Sequence, residues 1–173
     1  MRNIDVFIAN GSDTNAYRDI GVDVISRLRQ LLQYEMNYDV TISNWDYRAA
    51  TPRVIQKGTL AATSLMNVDR SQAMIGIFGR RVPGITTKEI RRAFERRLAG
   101  DEFEIFVFAN PKLVTDEHDV FFQEIVNTFG EEIDYGQYRN RLEFQALLYT
   151  TLIRYLIERL KISNPALLPG GAS

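Results

Sequence analysis

The sequence contains no cysteine, and this absence removes three kinds of chemistry at once. Disulfide bonds, zinc–thiolate centres and thiol nucleophiles all need a cysteine side chain, so none of them is open to this chain. A single histidine, His118, excludes a metal site built on several histidines and leaves one candidate base for a serine triad. The lack of cysteine fits a reducing compartment, so we expect a cytoplasmic protein.

Long apolar runs and an excess of charge of one sign are also missing. No run approaches the ~20 apolar residues that a membrane span needs, and the opening residues MRNID contain no apolar signal region. The 21 basic and 22 acidic side chains give a net charge of −1, whereas nucleic-acid-binding domains are normally basic. We therefore expect a soluble protein that binds neither a membrane nor a nucleic acid.

Apolar runs and helical periodicities alternate along the 173 residues. The patterns predict strands at 5–9, 38–43, 73–78 and 103–109 with a short fifth at 133–135, and helices at 14–33, 52–67, 87–98, 119–129 and 139–161. In the first helix Arg18 is assigned to the polar face, and the second helix has Thr51 as its cap and Pro52 at its first position.

This alternation predicts an α/β domain over residues 1–162, a flavodoxin-like three-layer sandwich. Its sheet would have four or five mostly parallel strands in the order 2-1-3-4-5, with helices on both faces. Residues 163–173 contain two prolines and two glycines, and we expect a flexible tail or linker there.

The predicted topology also places a ligand site. In an open parallel sheet, ligands bind outside the carboxyl ends of the strands where the strand order reverses, and loops 10–13, 44–51 and 79–86 leave those ends. The first loop precedes a helix amino terminus, whose free N–H groups suit a phosphate or ribose. The second loop offers Trp45, Tyr47 and Arg48 for stacking and phosphate contact, and the third offers Arg80 and Arg81.

Each of these features also has a purely structural interpretation. Gly11 and Ser12 are common between a strand and a helix, the aromatic side chains of the second loop could cover the sheet, and loop arginines are often only solvated. His118 lies in an acidic stretch and is expected to be a structural residue at the surface. Neither G-x-G-x-x-G nor G-x-x-x-x-G-K-[ST] occurs, so neither a Rossmann dinucleotide site nor a P-loop is supported.

Among the candidate site residues, Glu89 has the best-supported purely structural interpretation. The residues Thr86-Thr87-Lys88-Glu89 fit a capping box, in which Thr86 binds the amide of Glu89 and the glutamate reaches back to the amide of Thr86. Such a cap contributes on the order of 1 kcal/mol and needs no chemistry. Spacing alone leaves both roles, cap and active-site carboxylate, open.

Three stretches, DVFIANGSDTNAYRD, SLMNVDRSQAMIGIFGRRVPGITTKEIRRAF and FEIFVFANP, together resemble the Toll/interleukin-1-receptor-like (TIR-like) superfamily. The similarity is to bacterial TIR-like modules that often head signalling or defence proteins, and it extends over about residues 4–162. The corresponding residues are Val6 to Ala9, Asp69, Ile75 to Arg80, and Thr86 to Ala93.

The resemblance implies that Glu89 is catalytic. Active TIR domains and the related nucleoside deoxyribosyltransferases cleave an N-glycosidic bond with a glutamate on the helix after the third strand, the position that Glu89 occupies. NAD+ or a related nucleotide would then be the substrate, with no cofactor or metal, and assembly into a homo-oligomer or binding of a partner domain would activate the enzyme. The expected substrate-binding residues are Ala9, Asn10, Gly11, Ser12, Trp45, Arg48, Gly79 and Arg80.

Two other functions stay open at this point. The same fold could serve as a non-catalytic module that senses a nucleotide or binds a partner, with Glu89 acting only as a cap. A nucleoside deoxyribosyltransferase is less well supported, because the acidic and amide residues that recognise a base are not evident in the sequence.

Overall fold

A computed structural model describes residues 2–35, 40–43 and 59–160 of the chain. The strands are β1 (Arg2–Asn10), β2 (Val40–Ser43), β3 (Ala73–Phe78), β4 (Glu104–Ala109) and β5 (Gly136–Gln137). The helices are α1 (Asn15–Gln30), α2 (Thr59–Arg70), α3 (Gly84–Leu98), α4 (Asp116–Phe129) and α5 (Arg141–Leu160). A 3-10 turn (Ser12–Thr14) precedes α1, and a π-helical turn (Leu31–Glu35) follows it.

The five strands form one parallel sheet in the order β2-β1-β3-β4-β5, which confirms the predicted strand order. β3 lies at its centre, and every residue of β3 is buried. This explains why its sequence AMIGIF is continuously apolar, since a central parallel strand is covered on both faces. β2 is an edge strand, as its alternating polar and apolar residues predict.

Alternate residues of the strands point to opposite faces of the sheet, and each face has its own apolar core. Ile4, Val6 and Ile8 of β1 pack with the buried faces of α1 and α5, whereas Phe7 and Ala9 pack with residues of α2, α3 and α4. The result is the expected flavodoxin-like sandwich of three layers, with helices on both faces of the sheet.

Several element boundaries differ from the sequence prediction. The fifth strand is not at 133–135 but at Gly136–Gln137, where it pairs with Phe108 and Ala109 at the end of β4. Ile133 and Tyr135 pack their side chains against the second core instead, so their apolar pattern reflects burial rather than pairing. α3 begins at Gly84 instead of residue 87, so Glu89 lies in its second turn and not in its first.

Three expectations fall on residues outside the described ranges. These are the start of the second helix at Thr51 and Pro52, the loop that carries Trp45, Tyr47 and Arg48, and the tail at 163–173. Among the helices of the described ranges, none has the length and apolar character required to span a bilayer.

Candidate functional site

The strand order reverses between β1 and β3, the two strands from which the chain leaves toward opposite edges of the sheet. β1 pairs with β2 only from Arg2 to Asp5, and with β3 only from Val6 to Asn10. Within the described residues, the carboxyl half of β1 therefore has a strand on one side alone. A crevice at this point is the usual ligand site of an open α/β sheet.

A cavity of about 350 Å³ lies there, within the size range of small-molecule sites. It is bounded by β1 and the loop that follows it, by one residue each from α1 and α2, and by the beginning of α3. The lining residues are Phe7, Ile8, Asn10, Gly11, Ser12, Arg18, Ser64, Pro83, Gly84, Ile85, Thr86 and Glu89.

Hydrogen bonds to the carbonyl of Gly11 organise the loop after β1. Thr14 donates to this carbonyl through both its N–H (3.1 Å) and its hydroxyl (3.0 Å), and the side-chain amide of Asn10 donates to it at 2.7 Å. The Asn10 amide also donates to the side chain of Asn15 at the start of α1 (3.2 Å). This wall of the cavity is therefore held by its own contacts before any ligand binds.

Asp13 joins this loop to the loop after β3. Its carboxylate accepts a hydrogen bond from the backbone N–H of Arg80 at 2.8 Å, and it lies against Gly79. A Cβ on Gly79 would be 2.7 Å from Cγ of Asp13, and a Cβ on Gly11 would be 2.6 Å from Cγ of Pro83. Both glycines thus permit close approach of the two loops that form the cavity walls.

Glu89 projects from the second turn of α3 and lines the cavity with only 6% of its surface exposed. Its Oε1 accepts a hydrogen bond from the hydroxyl of Ser64 on α2. Burial raises the pKa of Glu89 to about 7, and the Ser64 hydrogen bond acts in the opposite direction. Near neutral pH, both the carboxylate and the carboxylic acid are therefore populated.

The predicted capping box is wrong. α3 begins at Gly84 after the extended backbone of Pro83, so Thr86 and Glu89 both lie inside the helix. Pro83 has the extended backbone of a residue before a helix, at φ −69° and ψ 133°, and its ring restricts φ to about this value. The hydroxyl of Thr87 bonds to the carbonyl of Gly84 at 3.0 Å, and the carboxylate of Glu89 is used elsewhere.

The structure brings together some of the residues expected at the site. Asn10, Gly11, Ser12 and Glu89 line the same cavity. Ala9 is buried in the core between β1 and α3, and Gly79 packs on Asp13, so neither of them lines the cavity. Arg80 is exposed and meets Asp13 through its backbone rather than its side chain. The sequence gives no signal for Asp13 as the residue that joins the two loops.

Two lining residues, Ser64 and Arg18, were missed by the sequence analysis. Ser64 is an ordinary small polar residue in a helix, and its contact with Glu89 spans 25 positions. Arg18, which the helical pattern assigns to a solvated face, is buried with 3% exposure and forms an ion pair with Asp19 at 2.7 Å. Its spacing from Gly21, Ile25 and Leu28 places it on the buried face of α1, and this helical period was the signal that could have found it.

His118 is structural but not at the surface, contrary to the expectation. It is fully buried at the start of α4, and its Nδ1 accepts a hydrogen bond from the backbone N–H of Thr115 at 3.1 Å. Thr115 and His118 form a reciprocal capping box, with histidine in the place usually taken by glutamate. Because Nδ1 accepts this hydrogen bond, it has no proton of its own, and the ring proton is assigned to Nε2.

Comparisons with known proteins do not identify a family. No family model matches the chain, and no curated protein is similar to it. Among solved structures, S. aureus homoserine dehydrogenase superposes with a TM-score of 0.45 at 13% identity, over 79% of this chain and 34% of that one. This chain thus spans about a third of the matched one, and a similarity so low supports no conclusion about function.

Among the described residues, no group of three acidic or histidine side chains could hold a metal ion.

Proposed function

We propose that this protein cleaves the N-glycosidic bond of NAD+ or a related nucleotide, with Glu89 as the catalytic carboxylate. One observation carries the proposal: a glutamate with 6% exposure lines a cavity at the carboxyl edge of the sheet and forms no helix cap. A carboxylate that is buried with no cationic partner among the described residues destabilises the fold, so a functional role accounts for its retention.

The chemistry needs only one such group. When the bond between C1′ of the ribose and the pyridinium nitrogen of NAD+ breaks, the bonding electrons neutralise the cationic ring, and nicotinamide leaves without a general acid. Positive charge develops on the ribose, and a carboxylate in a poorly solvated cavity stabilises it more strongly than water does. Water then attacks C1′ and loses a proton, or a nucleophile of the substrate itself closes a ring.

The remaining lining residues suit a nucleotide. Asn10, Gly11 and Ser12 form a polar part of the lining, in which the Asn10 NH2 group is bonded to Gly11 and Asn15. Pro83 and Ile85 add an apolar surface to the lining, against which a flat base can pack. Arg18, which is ion-paired with Asp19, also lines the cavity, and its guanidinium suits contact with a phosphate of the substrate.

The test follows nicotinamide release from NAD+ by the purified protein over a range of protein concentrations, because assembly is the expected activator. Glu89→Gln keeps the shape and the acceptor for Ser64 but removes the charge, and we expect a loss of about 100-fold or more. Glu95→Gln is the matched control, since Glu95 lies on the same helix with its side chain 54% exposed. That variant is expected to release nicotinamide at the rate of the unmodified protein.

Two results would overturn the proposal. Undiminished release by folded Glu89→Gln would remove Glu89 from the chemistry. No release from the unmodified protein at any concentration, combined with measurable NAD+ binding by calorimetry, would identify the non-catalytic nucleotide-sensing module instead. Product analysis in the presence of an added free base separates hydrolysis and cyclisation from transfer to that base.

A further inference from the structure

The carboxylate of Glu89 has one hydrogen-bond donor in the described part of the chain, and that donor comes from a different helix. Ser64 lies on α2 with 3% exposure and lines the same cavity as Glu89. Its hydroxyl donates to Oε1 of Glu89. A buried helical serine commonly bonds to the carbonyl four residues earlier, so its use on a distant carboxylate is a specific tertiary contact.

We propose that Ser64 is a positioning residue for Glu89, holding Oε1 so that Oε2 is the oxygen that a bound ligand meets. A carboxylate presents two equivalent oxygens and rotates freely about its last torsion unless something holds it. With Oε1 bonded to a hydroxyl that is itself buried, the orientation of the group is determined by the packing of α2 against α3.

The same contact favours the ionised form of Glu89. Burial acts against the carboxylate, and the Ser64 hydroxyl offsets part of this effect because it donates to a negative charge. Without the hydroxyl, the carboxylate would be buried with no donor from the described residues, and protonation would become easier. Ser64 thus links the geometry of the site to the fraction of molecules that are ionised at neutral pH.

Ser64→Ala tests this directly, and Ser71→Ala is its matched control. Ser71 follows α2, is also buried (5% exposed), and donates its hydroxyl to the backbone carbonyl of Asn67 at 2.7 Å. Both substitutions remove one buried hydroxyl, but only the first removes a contact with Glu89. The pKa of Glu89 is measured by NMR on protein with labelled glutamate carboxyl carbons, assigned with Glu89→Gln.

We expect Ser64→Ala to raise the pKa of Glu89 by about one to two pH units, the usual effect of losing a hydrogen bond to a charged group. Ser71→Ala is expected to leave it unchanged. Ser64→Thr keeps the hydroxyl and should restore the original value. An unchanged pKa in Ser64→Ala would overturn the inference, whether or not the protein turns over any substrate.

The catalytic consequence rests on the proposed function and has a separate readout. If the carboxylate is the active form, nicotinamide release by Ser64→Ala at pH 7 should fall by about 5- to 50-fold and recover largely at pH 9. A loss that persists at pH 9, where the carboxylate is largely ionised in both proteins, would measure the effect of orientation alone, and an unchanged rate at both pH values would contradict the positioning role. If the unmodified protein releases no nicotinamide, the proposed function fails while the NMR measurement still decides the role of Ser64.

Discussion

The charged side chains in the two halves of α3 have different surroundings. In the half that leads from the cavity, Glu89 is buried and receives one hydrogen bond from a neutral hydroxyl. In the half that leads to Leu98, four arginines with side chains 16–42% exposed each meet a carboxylate. These ion pairs are Arg91–Glu124, Arg92–Asp69, Arg96–Asp101 and Arg97–Glu131, with distances of 2.7 to 3.1 Å.

The ion-paired arginines support the fold, whereas the ionised carboxylate of Glu89 opposes it. Arg96 illustrates the first kind, because it donates to the carbonyls of Val68 and Ser71 at the end of α2 and lies over the ring of Phe103. Glu89 illustrates the second kind, since burial makes its ionised form unfavourable and no cation of the described residues offsets it. None of the ion pairs formed by the arginines of α3 within the described residues includes Glu89.

The largest expected effect comes from removing the charge of Glu89. Glu89→Gln should raise the free energy of unfolding relative to the unmodified protein by on the order of 3 kcal/mol at pH 8, and by much less at pH 4.5. The reason is that Glu89 has a pKa of about 7 in the folded protein. It therefore keeps a proton there that it releases in the unfolded chain above its ordinary pKa of 4.5. Stability of the unmodified protein therefore declines as pH rises through this window, and the variant lacks that decline.

Urea unfolding of both proteins across this pH range measures the difference. Glu95→Gln, at the exposed end of the same helix, is expected to change the free energy by less than about 0.5 kcal/mol at every pH. A pH-independent difference for Glu89→Gln would show that its carboxyl group titrates alike in the folded and unfolded states.

An intermediate effect is expected where the two loops of the cavity meet. Gly79→Ala places a methyl group against Asp13 and 2.8 Å from Cγ2 of Thr14. The hydrogen bond that the Arg80 N–H donates to the Asp13 carboxylate must then shift. We expect a loss of about 1–3 kcal/mol in thermal or urea unfolding, typical of overpacking. Gly84→Ala is the comparison, because nothing lies within 4 Å of a Cβ there. Equal stability of the two variants would contradict the close packing of these loops.

The smallest effect is expected for the paired arginines. Arg92→Gln breaks the ion pair with Asp69, in which both side chains are about 40% exposed. Solvent screening limits such pairs to about 0.2–1 kcal/mol, and the difference from the unmodified protein should shrink further in 1 M salt. A loss well above 1 kcal/mol that persists at high salt would remove the contrast between the two halves of the helix.

Local patterns in the sequence predicted most of the fold. The run AMIGIF has the length and composition of a central strand, and β3 has the predicted bounds of 73–78. The order of strands and helices also predicted the topology, because parallel strands need helical crossovers and these have one preferred hand. The weak fifth strand was displaced, since Ile133 and Tyr135 are apolar for packing and β5 is only two residues long.

The candidate site was predicted only in part. Connectivity placed the loop from Asn10 to Ser12 and Glu89 near one sheet edge, and both line the cavity. The capping-box pattern failed because Pro83 starts α3 earlier than Thr86, a competition between two valid start signals that sequence spacing does not rank. His118 was placed at the surface because its neighbours are acidic, although it caps α4 from a buried position.

The sequence by itself determined the alternation of strands and helices, the strand order and the edge of the sheet at which a cavity forms, since these follow from local periodicity and chain connectivity. Only the tertiary structure decided the surroundings of Glu89. Its burial, its contact with Ser64 and its altered pKa arise from the approach of α2 to α3, and the two residues are 25 positions apart. Hydrogen bonding and desolvation depend on which atoms are neighbours in space, and a linear pattern does not contain that information.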